Sequence, residues 1–278
     1  MEALNIKYED SEMILVVKPA GVATESRSIR EKDMLSMVKS YRVERGEPNY
    51  VGMLHRLDQP VGGLLLFAKT KEAAAKLSKQ IQDGTAEKYY QALLCGRIEE
   101  EGELTDYLLR DGKTNVSRVV EKGTPRAKKA SLTFRRLKVF SQEAEGAFGT
   151  DCQSEVGSVF EKNSQSKASS MLGKNAAENQ ISLVEIRLAT GRHHQIRVQM
   201  AHHGFPLLGD KKYGVLVQHE AHTDTNRTLE CHTDLPQYRD FNGKKLQGPA
   251  LFAWRLEFRH PKTGKWMDFT EEPPWILE

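Results

Sequence analysis

The sequence predicts an α+β fold with a mixed, largely antiparallel β-sheet and flanking helices. Stretches with the composition or alternation of strands outnumber those with helical spacing, and the two kinds do not alternate strictly along the chain. Strict alternation would instead favour a doubly wound parallel sheet. With 278 residues the chain can bury a sizeable core, and we expect one domain over residues 1–278.

Apolar runs and apolar–polar alternation predict seven strands, and helical spacing predicts two helices. The predicted strands cover residues 13–17, 64–67, 87–94, 130–139, 184–188, 251–258 and 266–269. The first helix covers Lys71 to Asp83, with Thr70 as its N-cap and Gly84 as its C-terminal stop. The second helix covers His193 to His203.

Residues 141–179 interrupt this pattern. They are rich in Ser, Gly, Glu, Lys and Asn and contain few branched apolar residues. We interpret the stretch as a polar insertion or flexible loop with room for a small hairpin.

Composition excludes several classes of protein. The chain has 41 basic and 38 acidic residues, a balance that permits a polyanionic partner without arguing for one. Cys95, Cys152 and Cys231 form no CxxC pair, so a disulfide framework and a zinc site are disfavoured and a reducing cytoplasm is expected. We see no secretory signal, no apolar run of about 18 residues and no phosphate-loop motif. We therefore expect no membrane segment and no nucleotide cofactor.

The strongest candidate for chemistry is Asp58, which ends the run His55-Arg56-Leu57-Asp58 ahead of a Gly62-Gly63 turn and an apolar strand. A turn or N-cap aspartate beside Gln59 is the plainer interpretation. A catalytic interpretation requires a partner that keeps the carboxylate ionised in a cleft. Arg192, at a turn between a strand and a helix, is the candidate, because an ion pair would lower the pKa of Asp58 and offset its desolvation.

Other motifs indicate nucleic acid rather than metal. The pairs at 193–194 and 202–203 lack HExxH spacing and an acidic or cysteine neighbour within the helix, so these histidines are interpreted as solvated or core residues. One of Tyr89 and Tyr90 can stack on a base if it faces a cleft. Basic residues from separate segments flank these elements, which is typical of a groove for a phosphate backbone.

Together these motifs resemble those of the RluA-like family of RNA pseudouridine synthases. The resemblance runs from about residue 14 to residue 273. It rests on Val16-Val17-Lys18-Pro19-Ala20-Gly21, on His55-Arg56-Leu57-Asp58 with Gly63-Leu64-Leu65, on Lys88-Tyr89-Tyr90, and on Thr190-Gly191-Arg192-His193-His194-Gln195-Ile196-Arg197.

The resemblance implies a pseudouridine synthase catalytic domain with a central RNA-binding cleft. Such an enzyme is an isomerase that flips a uridine out of structured rRNA or tRNA and rejoins the base through C5. Asp58 would be catalytic, as a nucleophile at C1′ or a base at C2′. Arg192 would hold Asp58 ionised, and Tyr90 would stack on the uracil. RNA-binding residues would be Arg56, Lys18 and Arg197. The resemblance implies no metal or cofactor, and we expect a monomer.

Three departures from the family pattern are visible. Val61-Gly62 stand where the family usually has Thr-Ser, and Phe252-Ala253 replace a common His-Ala. We also expect no S4-type RNA-binding domain, because the first motif lies close to residue 1.

Two other functions fit parts of the pattern. One is a catalytically silent RNA-binding module on the same fold, which loss of the Asp or the Arg would indicate. The other is a nucleoside hydrolase, which would need a second carboxyl group beside Asp58.

Overall fold

A computed structural model describes residues 4–26, 31–142, 148–150, 180–214, 239–240 and 248–276. Within these ranges the strands are β1 (Asn5–Glu9), β2 (Met13–Lys18), β3 (Gly52–Met53), β4 (Gly62–Ala68), β5 (Glu87–Cys95), β6 (Glu101–Asp111), β7 (Val116–Val120), β8 (Lys128–Gln142), β9 (Phe148–Thr150), β10 (Gln180–Leu188), β11 (Arg239–Asp240), β12 (Leu251–Arg259), β13 (Trp266–Thr270) and β14 (Trp275–Ile276). The helices are α1 (Met34–Glu44), α2 (Lys71–Asp83) and α3 (Gln195–His202).

One large sheet organises the described chain, in the order β1-β2-β4-β12-β5-β10-β8-β6-β7. β3, β9 and β13 pair at its sides with β4, β8 and β12. β4 and β12 run parallel, whereas the other pairs in this sheet are antiparallel. The predicted α+β class with a mixed, largely antiparallel sheet is confirmed, and each of the seven predicted strands is present.

Strand β4 is buried on both faces and divides the core in two. Leu65 and Phe67 belong to the cluster on the side of α1 and α3. Leu64 and Leu66 pack on the opposite side against Leu77 of α2. Alternation along the strand sends neighbouring side chains to opposite faces, so the residues just before β4 are held from both sides.

The sequence predicted both ends of α2 correctly, whereas it predicted the start of α3 too early. α2 begins and ends as predicted, because Thr70 accepts a hydrogen bond from the backbone of Ala73 (3.1 Å) and Gly84 adopts a left-handed conformation with φ of 78°. α3 begins two residues later than predicted. The residue before it, His194, has a φ of 55°, which is left-handed and not helical.

The polar stretch 141–179 lies mostly outside the described residues. Its described part shows β8 continuing to residue 142 and pairing with β9, which is the small hairpin that was allowed for. None of the helices in the described ranges is long and apolar enough to cross a membrane.

Candidate active site

An open cleft of about 1380 Å³ surrounds Asp58. The loop before β4, strand β5, the β6–β7 hairpin and the turn before α3 all contribute to its walls. Its charged lining residues are Glu25, Arg56, Asp58, Lys88, Arg110, Arg126, Arg192 and Arg197. Six of these eight side chains are basic, so the cleft is cationic although the whole chain is nearly neutral.

Asp58 stands at a tight turn that leads into β4. The backbone N–H of Val61 donates to the carbonyl of Asp58 at 2.9 Å. The Asp58 side chain is 25% exposed. Burial raises its pKa above the usual 3.8, whereas the nearby Arg197 guanidinium lowers it and the Asp210 carboxylate raises it. Desolvation is the largest of these effects, so the site holds a carboxylate that is more basic than an exposed aspartate.

Arg197, from the first turn of α3, is the ion-pair partner of Asp58. Its Nη1 lies 3.5 Å from Asp58 Oδ2. The same guanidinium donates two hydrogen bonds of 2.7 Å to the buried carboxylate of Asp210. This two-point contact fixes the plane of the guanidinium, so the Arg197 cation is held in one orientation beside Asp58.

His194 faces the same oxygen of Asp58 from the other side, with its Nε2 3.7 Å from Asp58 Oδ2. The backbone N–H of Ser117 donates to the Tyr213 hydroxyl at 2.9 Å, and that hydroxyl lies 2.7 Å from His194 Nδ1. Burial and neighbouring cations lower the His194 pKa to about 3, so the ring is neutral.

Tyr90 lines the cleft on β5 and is 7% exposed. Burial, followed by the charge of Asp58, raises the pKa of its hydroxyl. Tyr90 and Asp58 therefore line the same cleft, close enough for the charge of Asp58 to affect the Tyr90 hydroxyl.

The expected pairing of Arg192 with Asp58 is corrected. Arg192 is exposed at the cleft, and its Nε donates to the carbonyl of Lys129 at 2.9 Å. Arg197 makes the pair instead. Both arginines belong to one motif, but the left-handed residue His194 separates them. Arg192 lies on the exposed turn before it, and Arg197 lies on the buried helix α3 after it.

Lys18 and Arg197 are also corrected as RNA contacts, because each is buried and used within the protein. Lys18 is 0% exposed, and its ammonium donates to the carbonyls of Pro19, Val22 and Gln59 at 2.9, 2.5 and 3.0 Å. It thereby fastens the first motif to the loop of Asp58. Arg56 is exposed and lines the cleft, so its side chain is accessible to RNA.

The expected Gly62-Gly63 turn is corrected to the first two residues of β4. Gly63 has a φ of +124°, and a Cβ there would lie 2.4 Å from the carbonyl oxygen of Ala253. A Cβ on Gly62 would lie 3.0 Å from the ring of Phe252. The glycines let β12 approach β4 closely, and the turn itself is formed by residues 58–61.

Asp210, His194 and Tyr213 were not expected near Asp58. Asp210 and Tyr213 lie in the turn-rich segment 204–213, which continues the last motif but gives no periodic signal, and neither was assigned a role. His194 was interpreted as a solvated or core residue. Buried polar groups require partners, so the one available signal was the number of polar residues in the helix at 195–202.

Residues 12–202 match the family model of RNA pseudouridylate synthase. The tRNA pseudouridine synthase C of Haemophilus ducreyi is 30% identical, over 94% of this chain and 87% of that protein. The ribosomal large subunit pseudouridine synthase D of Nitrosomonas europaea is 28% identical, over 94% of this chain and 60% of that protein.

The fold agrees with solved structures. Human RNA Pseudouridylate Synthase Domain Containing 1 superposes with a TM-score of 0.63 at 20% identity, covering 99% of this chain and 85% of that chain. With these similarities, the cationic cleft defines an enzyme that modifies RNA. The chain belongs to the RNA pseudouridylate synthase family and is an isomerase that converts uridine in RNA to pseudouridine.

Proposed function

We propose that Asp58 is the catalytic carboxylate of this isomerase. The observation that carries the proposal is its position, half-buried in the cationic cleft with Arg197 at 3.5 Å. A carboxylate attacks C1′ or removes a proton at C2′ only when ionised. Arg197 favours the ionised form, while burial keeps the group basic enough to react.

His194 acts in this proposal as a positioning residue. Its Nε2 lies 3.7 Å from the Oδ2 of Asp58 that also faces Arg197. In the tautomer with the proton on Nε2, a neutral donor on one side and a fixed cation on the other hold the carboxylate in one orientation. Reaction at a single sugar carbon benefits from such preorganisation.

Tyr90 stacks on the flipped uracil. Its ring is buried in the cleft wall next to Asp58, and an aromatic face accepts a flat base. Exposed arginines at positions 56, 110, 126 and 192 hold the RNA backbone, which offsets the cost of taking the base out of its stack.

The substrate we propose is a uridine in structured tRNA or rRNA, which agrees with the names of the two relatives described above. We also propose that the enzyme works as a monomer in the cytoplasm, where both RNAs are available. No metal or organic cofactor has a part in the proposed reaction.

The test measures tritium release from 5-tritiated uridine in RNA isolated from cells that lack the gene. The unaltered protein is expected to release tritium, and Asp58→Asn to release none while it still binds the RNA. Asp111→Asn, an exposed aspartate on β6, is the matched control and is expected to keep full activity. Full activity of Asp58→Asn would refute the proposal, and an unaltered protein that binds RNA but releases no tritium would favour a silent binding module.

A further inference from the structure

One cation inside the cleft has no partner among the described residues. The four arginines that line the cleft at 56, 110, 126 and 192 are exposed, so water solvates their charge. Lys88 is mostly buried. Burial lowers the pKa of its ammonium, and no carboxylate offsets this effect. A buried charge without a counter-charge is costly and requires a specific reason.

A second unpartnered donor belongs to His55, which lines the same cleft. The backbone N–H of Leu66 donates to His55 Nε2 at 3.2 Å. The His55 proton therefore sits on Nδ1, which is buried without a partner in the described ranges. Burial and the nearby Lys88 ammonium lower the His55 pKa to about 3, so the ring is neutral. On the far side, a Cβ added to Gly191 would lie 3.5 Å from Lys88 Nζ.

The position of Lys88 relative to Tyr90 indicates what the missing acceptor is. The two residues are separated by one position on β5, so their side chains leave the same face of the sheet. Their Cα atoms are about 7 Å apart, which is on the scale of one nucleotide. A base stacked on Tyr90 therefore leaves the adjoining backbone within reach of Lys88.

We propose that Lys88 binds one phosphate of the RNA backbone next to the uridine that enters the cleft. Uracil presents only neutral carbonyl oxygens, whereas a phosphate supplies the counter-charge that the ammonium lacks. The inference rests on the proposed function, since it assumes that the flipped base lies on Tyr90.

Binding is measured first, in an Asp58→Asn background so that the RNA is not converted. The RNA is again total RNA from cells that lack the gene. Lys88→Met is expected to weaken binding about tenfold and to lower the slope of log K against log salt concentration by about one. Lys88→Arg is expected to keep most of the slope. Lys76→Met, on the exposed side of α2 and outside the cleft lining, is the control and should change neither value.

A second measurement identifies the phosphate. The target uridine is mapped in RNA treated with the protein, and a short RNA around it is made with one neutral methylphosphonate linkage on either side. One of the two neutral linkages is expected to weaken binding to Asp58→Asn about tenfold. The same linkage should cost nothing further in Asp58→Asn Lys88→Met, because the two changes remove one contact.

The inference is overturned if the two losses multiply, if neither neutral linkage weakens binding, or if Lys88→Met leaves affinity and salt slope unchanged. These outcomes are separate from the tritium assay on the unaltered protein. Tritium release together with an unaffected Lys88→Met would leave the proposed function standing and remove only the phosphate site.

Discussion

Two walls of the cleft, one around Asp58 and the other around Lys88, differ in whether their buried charged groups have partners. Around Asp58, each polar group that the described chain buries has a partner, from Arg197 and Asp210 to His194 and Tyr213. Around Lys88, burial lowers the pKa of the ammonium and no carboxylate of the described part of the chain offsets this effect. The paired wall is therefore complete without a ligand, and the unpaired wall is the one that a ligand completes. Substitutions in the two walls should consequently differ in the sign of their effect on stability.

The largest effect is expected from Arg197→Met, which leaves the buried carboxylate of Asp210 without its partner. The free energy of unfolding should fall by about 3–5 kcal/mol, measured by urea denaturation. Tritium release by the folded fraction should fall at least about a hundredfold, since Asp58 also loses its cation.

Arg42→Met is the matched control for this variant. Arg42 is 3% exposed and pairs with Glu47 far from Asp58 in the chain, outside the cleft lining. A similar loss of stability with normal activity of the folded protein is expected. If Arg197→Met is as active as this control, the paired wall has no catalytic importance.

The next effect in size comes from Tyr213→Phe. The Ser117 N–H then lacks its acceptor and His194 Nδ1 lacks its hydrogen-bond partner, at a cost of about 1–3 kcal/mol. The imidazole also loses the contact that fixes its orientation beside Asp58. We expect kcat to fall about tenfold with KM little changed. Tyr41→Phe, which removes a 2.8 Å hydrogen bond to Glu9, should lower stability alone.

Lys88→Met tests the unpaired wall and should change stability in the other direction. The folded-state pKa of Lys88 lies below its ordinary value, so the charged form costs free energy at neutral pH. The variant should be more stable by about 0.5–1 kcal/mol. Lys69→Met is the contrasting control, because Lys69 is also largely buried, at 8% exposed, but contacts Glu9 and Glu47 at 2.6 and 2.9 Å. A loss of stability in Lys88→Met would mean that this lysine has a partner of its own.

The smallest effect is the dependence on pH that Asp58 imposes. Its folded-state pKa is raised, so its contribution to stability is present at low pH and is lost as pH rises through that value. Activity has the opposite dependence and should fall as pH drops through the same value. At pH 7, Asp58→Asn should melt no lower than the unaltered protein. Asp10→Asn is the control of opposite sign, because hydrogen bonds lower the Asp10 pKa despite burial; it should melt lower.

Much of the fold was predictable because apolar strands have strong local patterns. The β6–β7 hairpin and α1 were missed for the opposite reason. β6 is largely polar and its alternate residues are exposed, and α1 buries Arg42 on its core side. Neither the polar strand β6 nor a helix with an arginine on its core side has the apolar periodicity from which the other elements were predicted.

The motifs identified Asp58 and Tyr90 as site residues, but they did not identify Arg197 as the arginine that pairs with Asp58. Choosing between Arg192 and Arg197 requires the backbone conformation of His194. A non-glycine residue at φ of 55° is uncommon, and no local pattern predicts it. Asp210 could not be assigned either, since its significance lies in a contact with a residue 13 positions earlier in the chain.

The contact between Gly62 and Phe252 makes the residue size allowed at each of these positions depend on the other. A Cβ on residue 62 would lie 3.0 Å from the Phe252 ring, so a larger residue at 62 should be tolerated better beside a smaller residue at 252. Substitutions at the two positions are therefore expected to be non-additive.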